Sequence, residues 1–156
     1  MARKKIELGD IFELKTSKGH IYLQCVRIPA DKRQGVELIR VYYYVHPTQT
    51  KDISLIQKGS FFYVGFALQA AYNRKIVEKI GNVHLEADFK PPRYFRTTNP
   101  FGEGWQIIDS VNWHRETIQE LTNEQQNLFP WGVWNDTLII EKLDEGWTLE
   151  KWKIEK

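Results

Sequence analysis

The sequence predicts a mainly β fold: a strongly curved antiparallel sheet or partly open barrel with one or two short helices, in a single domain over residues 1–156. Three observations carry that prediction. Runs rich in β-branched and aromatic residues recur at short spacing. Clusters of Gly, Pro, Asn and Asp punctuate them. The gaps between runs leave no room for the long crossover helices that a parallel sheet requires.

Taken in order, Gly9-Asp10 is a turn signal, and Ile11-Phe12-Glu13-Leu14 reads as a short strand after it. Thr16-Ser17-Lys18-Gly19 is a turn, and residues 20–28 follow as a second strand that Pro29 ends. Within it Tyr22 and Gln24 oppose Ile21, Leu23 and Cys25 across the pleat. Residues 36–46 (VELIRVYYYVH) are the longest run. Both parities there are largely apolar, which predicts a strand covered on both faces and stopped by Pro47.

Further short strands are expected at residues 53–56 and 61–68, separated by Lys58-Gly59-Ser60. Residues 70–80 fit two patterns. Leu68, Tyr72, Ile76 and Ile80 align on one helical face with Gly81 as the stop. Alternatively Tyr72-Asn73-Arg74 is a turn and residues 75–80 a strand, the reading that the flanking β-pattern favours. Beyond Gly81-Asn82 the chain is expected to be irregular, because Pro91-Pro92 and Asn99-Pro100 break ladders. Residues 105–108 then read as a strand. Thr122-Asn123-Glu124-Gln125 fits a capping box and predicts a short helix over 123–129, ending before Pro130. Residues 137–143 and 147–154 flank Asp144-Glu145-Gly146, which predicts a closing β-hairpin.

Composition narrows the classes. The chain is 42% hydrophobic with 21 aromatic residues, which excludes disorder. One cysteine, Cys25, allows no internal disulfide and reads as a small buried hydrophobe. No apolar run approaches the roughly eighteen residues of a membrane-spanning helix. The basic start Met1-Ala2-Arg3-Lys4-Lys5 leads into no apolar stretch of signal-peptide length. A cytoplasmic protein without membrane contact is expected. The net charge of +2 hides an asymmetry: residues 1–52 carry +4, residues 53–104 carry +3 and residues 105–156 carry −5. The same acidic third holds all six tryptophans.

The chemistry of catalysis is sparse. His20, His46, His84 and His114 include no pair at i, i+2 or i, i+4, the spacings that present two metal ligands from one element. No nucleophile elbow, phosphate loop or dinucleotide turn is present. The carboxylate pair Asp144/Glu145 falls in a turn and reads as solvated. The expectation is therefore a protein that is not an enzyme and needs no metal or cofactor. Arg3, Lys4 and Lys5 could meet phosphates and Tyr42-Tyr43-Tyr44 could stack on bases, so a nucleic-acid-binding β-barrel is the alternative. The isoelectric point near 8.6 and the alternating charge signs weigh against it.

Two tryptophans stand apart. Trp131 and Trp134 lie in Pro130-Trp131-Gly132-Val133-Trp134-Asn135-Asp136, a loop-like stretch where function concentrates. Glu120, Glu124, Asp136, Asp144 and Glu145 surround them in sequence. Aromatic anchors with an acidic rim suit a basic protein partner, charge speeding encounter and aromatics slowing release.

Gly9-Asp10-Ile11-Phe12-Glu13-Leu14, then Ile80-Gly81-Asn82 with Leu85, then Pro92-Arg93-Tyr94-Phe95-Arg96 resemble, in order, the motifs of the immunity protein 26 family of bacterial polymorphic-toxin systems. The resemblance covers most of the chain. It implies a small cytosolic protein that binds a cognate toxin and blocks it without catalysis. Many such toxins act on nucleic acid and are basic, which agrees with an acidic binding surface.

Overall fold

In the computed structural model, residues 5–31 and 35–154 are described. Arg3 and Lys4, two of the basic residues singled out above, lie outside the described residues. The fold is mainly β, built from two sheets that are not closed into a barrel. The first comprises β1 (Asp10–Thr16), β2 (Gly19–Arg27), β3 (Glu37–Tyr42), β4 (Phe61–Phe66) and β5 (Glu78–Asn82). Its order is β4-β3-β2-β1-β5 and every pairing is antiparallel. The second comprises β6 (Tyr94–Thr98), β7 (Trp105–Asp109), β8 (Arg115–Ile118) and β9 (Phe129–Pro130), in the order β8-β7-β6-β9. Four short helices complete the described residues: α1 (Ile53–Gln57), α2 (Leu68–Asn73), α3 (Asp136–Asp144) and α4 (Leu149–Ile154).

Strand alternation sorts the first sheet into two faces. Phe12, Leu14, Ile21, Leu23, Cys25, Ile39, Val41, Phe62, Val64 and Phe66 point to one side. Leu68 and Ala71 of α2 and Ile139 and Leu143 of α3 cover them. Each such side chain contributes about 1.5–3 kcal/mol on full burial. The opposite face is mixed. Val26, Leu38 and Tyr63 there meet Phe95 of the second sheet, while Tyr22 and Tyr42 are covered by Ile56 of α1. β3 is thus covered on both sides, as its sequence implied, although it ends at Tyr42.

Several elements differ from the sequence expectation, each for a local reason. Residues 53–56 are helical because Asp52 caps them, its Oδ1 accepting from Leu55 N at 3.2 Å. Residues 70–80 combine the two alternatives. Leu68, Ala71 and Tyr72 follow helical spacing onto the core. Lys75 takes a left-handed φ of 62°, and β5 then begins at Glu78. The prolines at 91, 92 and 100 flank a strand, β6, that pairs centrally in the second sheet.

Thr122 and Gln125 do form the reciprocal capping box, at 2.9 and 3.1 Å. The helix is nevertheless one 3-10 turn, Gln125–Asn127, because Phe129 is taken into pairing with Phe95. The expected closing hairpin is a helical one. Ile139 and Leu143, four apart, share a buried helix face. The Asp-Glu-Gly signal ends α3: Trp147 N donates to Lys142 O at 2.8 Å and Gly146 N to Leu143 O at 3.1 Å. With Gly146 at φ 75°, this is a Schellman cap.

The two sheets are joined by a strap, residues 129–134. Its first residues pair in parallel with β6. It then crosses to the edge of the first sheet, where Gly65 N donates to Gly132 O at 3.2 Å and Trp134 N to Gly65 O at 2.9 Å. A Cβ on Gly65 would stand 2.8 Å from Gly132 O, so the strap can lie this close only over glycine.

Candidate functional site

The six tryptophans form three ring pairs, two of them linked by Trp147 and Trp152 at 6.3 Å and the third set apart, and this division locates the site. Trp105 and Trp152 enclose Arg96, whose guanidinium carbon lies 3.7 Å from the Trp152 ring centre and 4.8 Å from that of Trp105. Arg96 donates to Leu128 O and Gln126 O, both at 3.2 Å, and burial pushes its pKa down to about 10. This cation anchors α4 to the second sheet. Trp134 and Trp147 pack on each other at 5.3 Å and on Phe62 at 5.4 and 5.1 Å. Trp113 and Trp131 meet edge to face at 5.5 Å on the surface.

Trp134 is therefore a core residue, 9% exposed, and not an anchor offered to a partner. The strap explains why. Val133 stands opposite Gly65, and alternation turns Val133 outward and the next residue inward. Trp131 does reach the surface, half-buried against Phe95 at 5.8 Å.

The five carboxylates do not assemble into a rim. Asp136 starts α3 and Asp144 ends it, about 12 Å away at helical rise. Asp144 lies 3.9 Å from Lys18 Nζ. Glu145 follows at the C-cap of α3, while exposed Glu120 and Glu124 lie between β8 and the 3-10 turn. None of the five lines the groove beside Trp131.

That groove, about 370 Å³, opens where the two sheets diverge. Leu38 and Phe95 form its apolar floor, and Trp113, Trp131, Val111 and Val133 its rim. Val111 is 65%, Val133 59% and Trp113 46% exposed, an uncommon concentration of large apolar side chains on a surface. Trp113 is held there by a tight turn between β7 and β8. Trp113 N donates to Asp109 O at 2.8 Å, and Asp109 Oδ1 accepts from Val111 N at 2.9 Å. Trp113 adopts φ 65°, a left-handed conformation costly for a bulky residue and a frequent mark of functional positions. Sequence reading passed over Trp113 because nothing local announces that conformation.

Arg93 fixes the turn from below, donating Nε and Nη2 to the Asp109 carboxylate at 2.8–3.0 Å. These bonds hold the Asp109 pKa down to about 2. A depressed carboxyl stabilises the fold above its ordinary range near 4 and loses that effect as pH falls through its folded value. The Trp113 indole signal in NMR should therefore keep its native position from neutral pH to about 4 and lose it approaching pH 2. Arg93→Gln should move that loss up toward pH 4. A Trp113 signal indifferent to Arg93 would show that the turn is held otherwise.

The remaining candidates lie apart from this groove. Cys25 is buried and its thiol is pushed up to about 12, chiefly by burial, which disfavours the thiolate. His20 and His46 face each other across an isolated bridge. Burial, with His20 nearby, pushes His46 down. Buried Glu13 accepts from Tyr22 Oη and Gln49 Nε2 at 3.1 Å and lies 3.3 Å from His20 Nδ1. This network ties the segment after β3 to the β1–β2 hairpin. Among the described residues no three His, Cys, Asp or Glu side chains converge as a metal site.

Of the three consecutive tyrosines only Tyr44 is exposed; Tyr42 and Tyr43 pack inward, so they form no stacking platform. Among the described residues no helix is long and apolar enough to cross a membrane. No protein-family model, curated protein or solved structure matches the chain.

Proposed function

We propose that this chain is a non-enzymatic, cytoplasmic binding protein that neutralises a cognate bacterial toxin, with the groove between the sheets as its contact surface. The carrying observation is the preorganised aromatic rim. Trp113 and Trp131 stand edge to face over an apolar floor, with exposed Val111 and Val133 beside them. Tryptophan is the residue most enriched among interface hot spots, and a rim already held in place costs little entropy on binding. The order of short motifs, which resembles that of the immunity protein 26 family, is in keeping with the same reading.

The acidic last third takes a secondary role. Its exposed carboxylates are dispersed, so they speed the approach of a basic, nuclease-type toxin without forming the anchor. The reading expects a secreted toxin encoded beside its gene, and co-expression with such a toxin tests the proposal. Growth should be restored, and a stable complex should copurify. Failure of rescue by fully soluble protein, with no complex formed, would remove it.

A further inference from the structure

One wall of the groove carries a charge that no ion pair among the described residues neutralises. Arg27 ends β2 just after a β-bulge: Cys25 pairs with Ile39, but Arg27 pairs with Leu38. In regular alternation Val26 would pair with Leu38, and Arg27 would share the face of Cys25 and enter the helix-covered core. The bulge re-aims it to the side of Leu38, the groove floor. There its Nη1 donates to Ser110 Oγ at 3.2 Å. Ser110 Oγ in turn donates to Arg93 O at 2.6 Å, which fixes the direction of both bonds.

Arg27 is half-buried, and among the described residues no carboxylate lies within ion-pair distance of it. Burial pushes its pKa down. The other charged residue that lines the groove among the described residues, Glu37, is committed elsewhere: its Oε1 accepts from Gln69 N, in the first turn of α2, at 3.0 Å. A guanidinium placed by a bulge, desolvated and left without a counter-ion, is costly unless a ligand supplies the charge. Ser110 belongs to the turn that presents Trp113, so cation and aromatic rim are held in fixed relation to one another.

Resting on the capture reading above, we infer that the groove recognises a segment of the toxin that presents an apolar or aromatic side chain beside a carboxylate, the ring lying on Trp113 and Trp131 and the carboxylate on Arg27. The planar guanidinium offers the carboxylate two parallel donors, which lysine cannot reproduce.

Two small probes with one body test this on the isolated full chain: N-acetyl-phenylalanine, which carries the carboxylate, and its neutral amide. Binding is followed through the indole N–H signals of Trp113 and Trp131. The carboxylate should bind about tenfold tighter than the amide. Arg27→Gln should bring the two to equal affinity while leaving the amide unchanged, and Arg27→Lys should restore only part of the preference. In the unaltered protein, added salt should weaken the carboxylate and leave the amide alone.

Equal affinities in the unaltered protein, a preference that survives Arg27→Gln, or indole signals that respond to neither probe at millimolar concentration would each overturn the inference. These outcomes are separable from failure of the capture reading, because the probes are read without the toxin. A groove that takes both probes equally still fits toxin capture. A groove that prefers the carboxylate while rescue fails assigns the ligand to another partner.

Discussion

Replacing Trp134 by alanine is expected to destabilise the fold by about 3–5 kcal/mol, the range for truncating a buried large aromatic. The indole touches Phe62 of β4 and Trp147 of the α3–α4 connection, so it cements the helical layer to the first sheet. Its backbone N–H also fastens the strap to Gly65. Removal leaves a cavity between elements that have few other means of closing it. Urea unfolding reads the effect as a fall in midpoint at unchanged slope. Trp131→Ala should lower the midpoint far less, since its ring is half-exposed and packs mainly on Phe95 and Trp113. Equal losses at the two positions would mean that the strap does not separate an inward from an outward tryptophan.

The second large effect is expected on binding. Trp113→Ala combined with Trp131→Ala removes the whole aromatic rim while leaving the strap and the Asp109–Arg93 pair in place. Affinity for the toxin should fall by about 100-fold or more, equivalent to about 3 kcal/mol or more. Growth protection should be lost with it. The two changes touch one another, so they are expected to be non-additive: each alone strips part of the contact made by its neighbour. Glu120→Gln with Glu124→Gln should instead slow association, and more so at low salt, with little change in dissociation.

Much of the first sheet was legible because its residues alternate. Tyr22 and Gln24 do oppose Ile21, Leu23 and Cys25, and the 17–18 turn sits where its residues place it. Short elements were less readable. Five residues at 53–57 show no period, and their helicity rests on one Asp52 cap. Asp144-Glu145-Gly146 serves a β-turn or a Schellman cap equally well, and only the four-residue spacing of Ile139 and Leu143 distinguishes them. β6 was hidden by prolines that bound it without interrupting it.

The site was legible in part, and for physical reasons. Trp131 and Trp134 sit in one stretch with similar surroundings in sequence. What separates them is parity, set by a long-range pairing with Gly65 that no local pattern encodes. Trp113 depends on a left-handed backbone enforced by Asp109 and Arg93. Arg27 depends on a bulge, which shifts one residue and thereby changes the face that a side chain serves. Charge counting located the acidic third correctly but could not show that α3 holds two of its carboxylates at opposite ends.

The dissociation rate of the toxin complex, measured for Trp113→Ala/Trp131→Ala beside the unaltered protein, tests the groove most directly as the capture surface. The rate should rise by about 100-fold or more while the unfolding midpoint stays close to its original value. An unchanged dissociation rate in a folded double variant would contradict it, and would move the contact surface away from the junction of the two sheets.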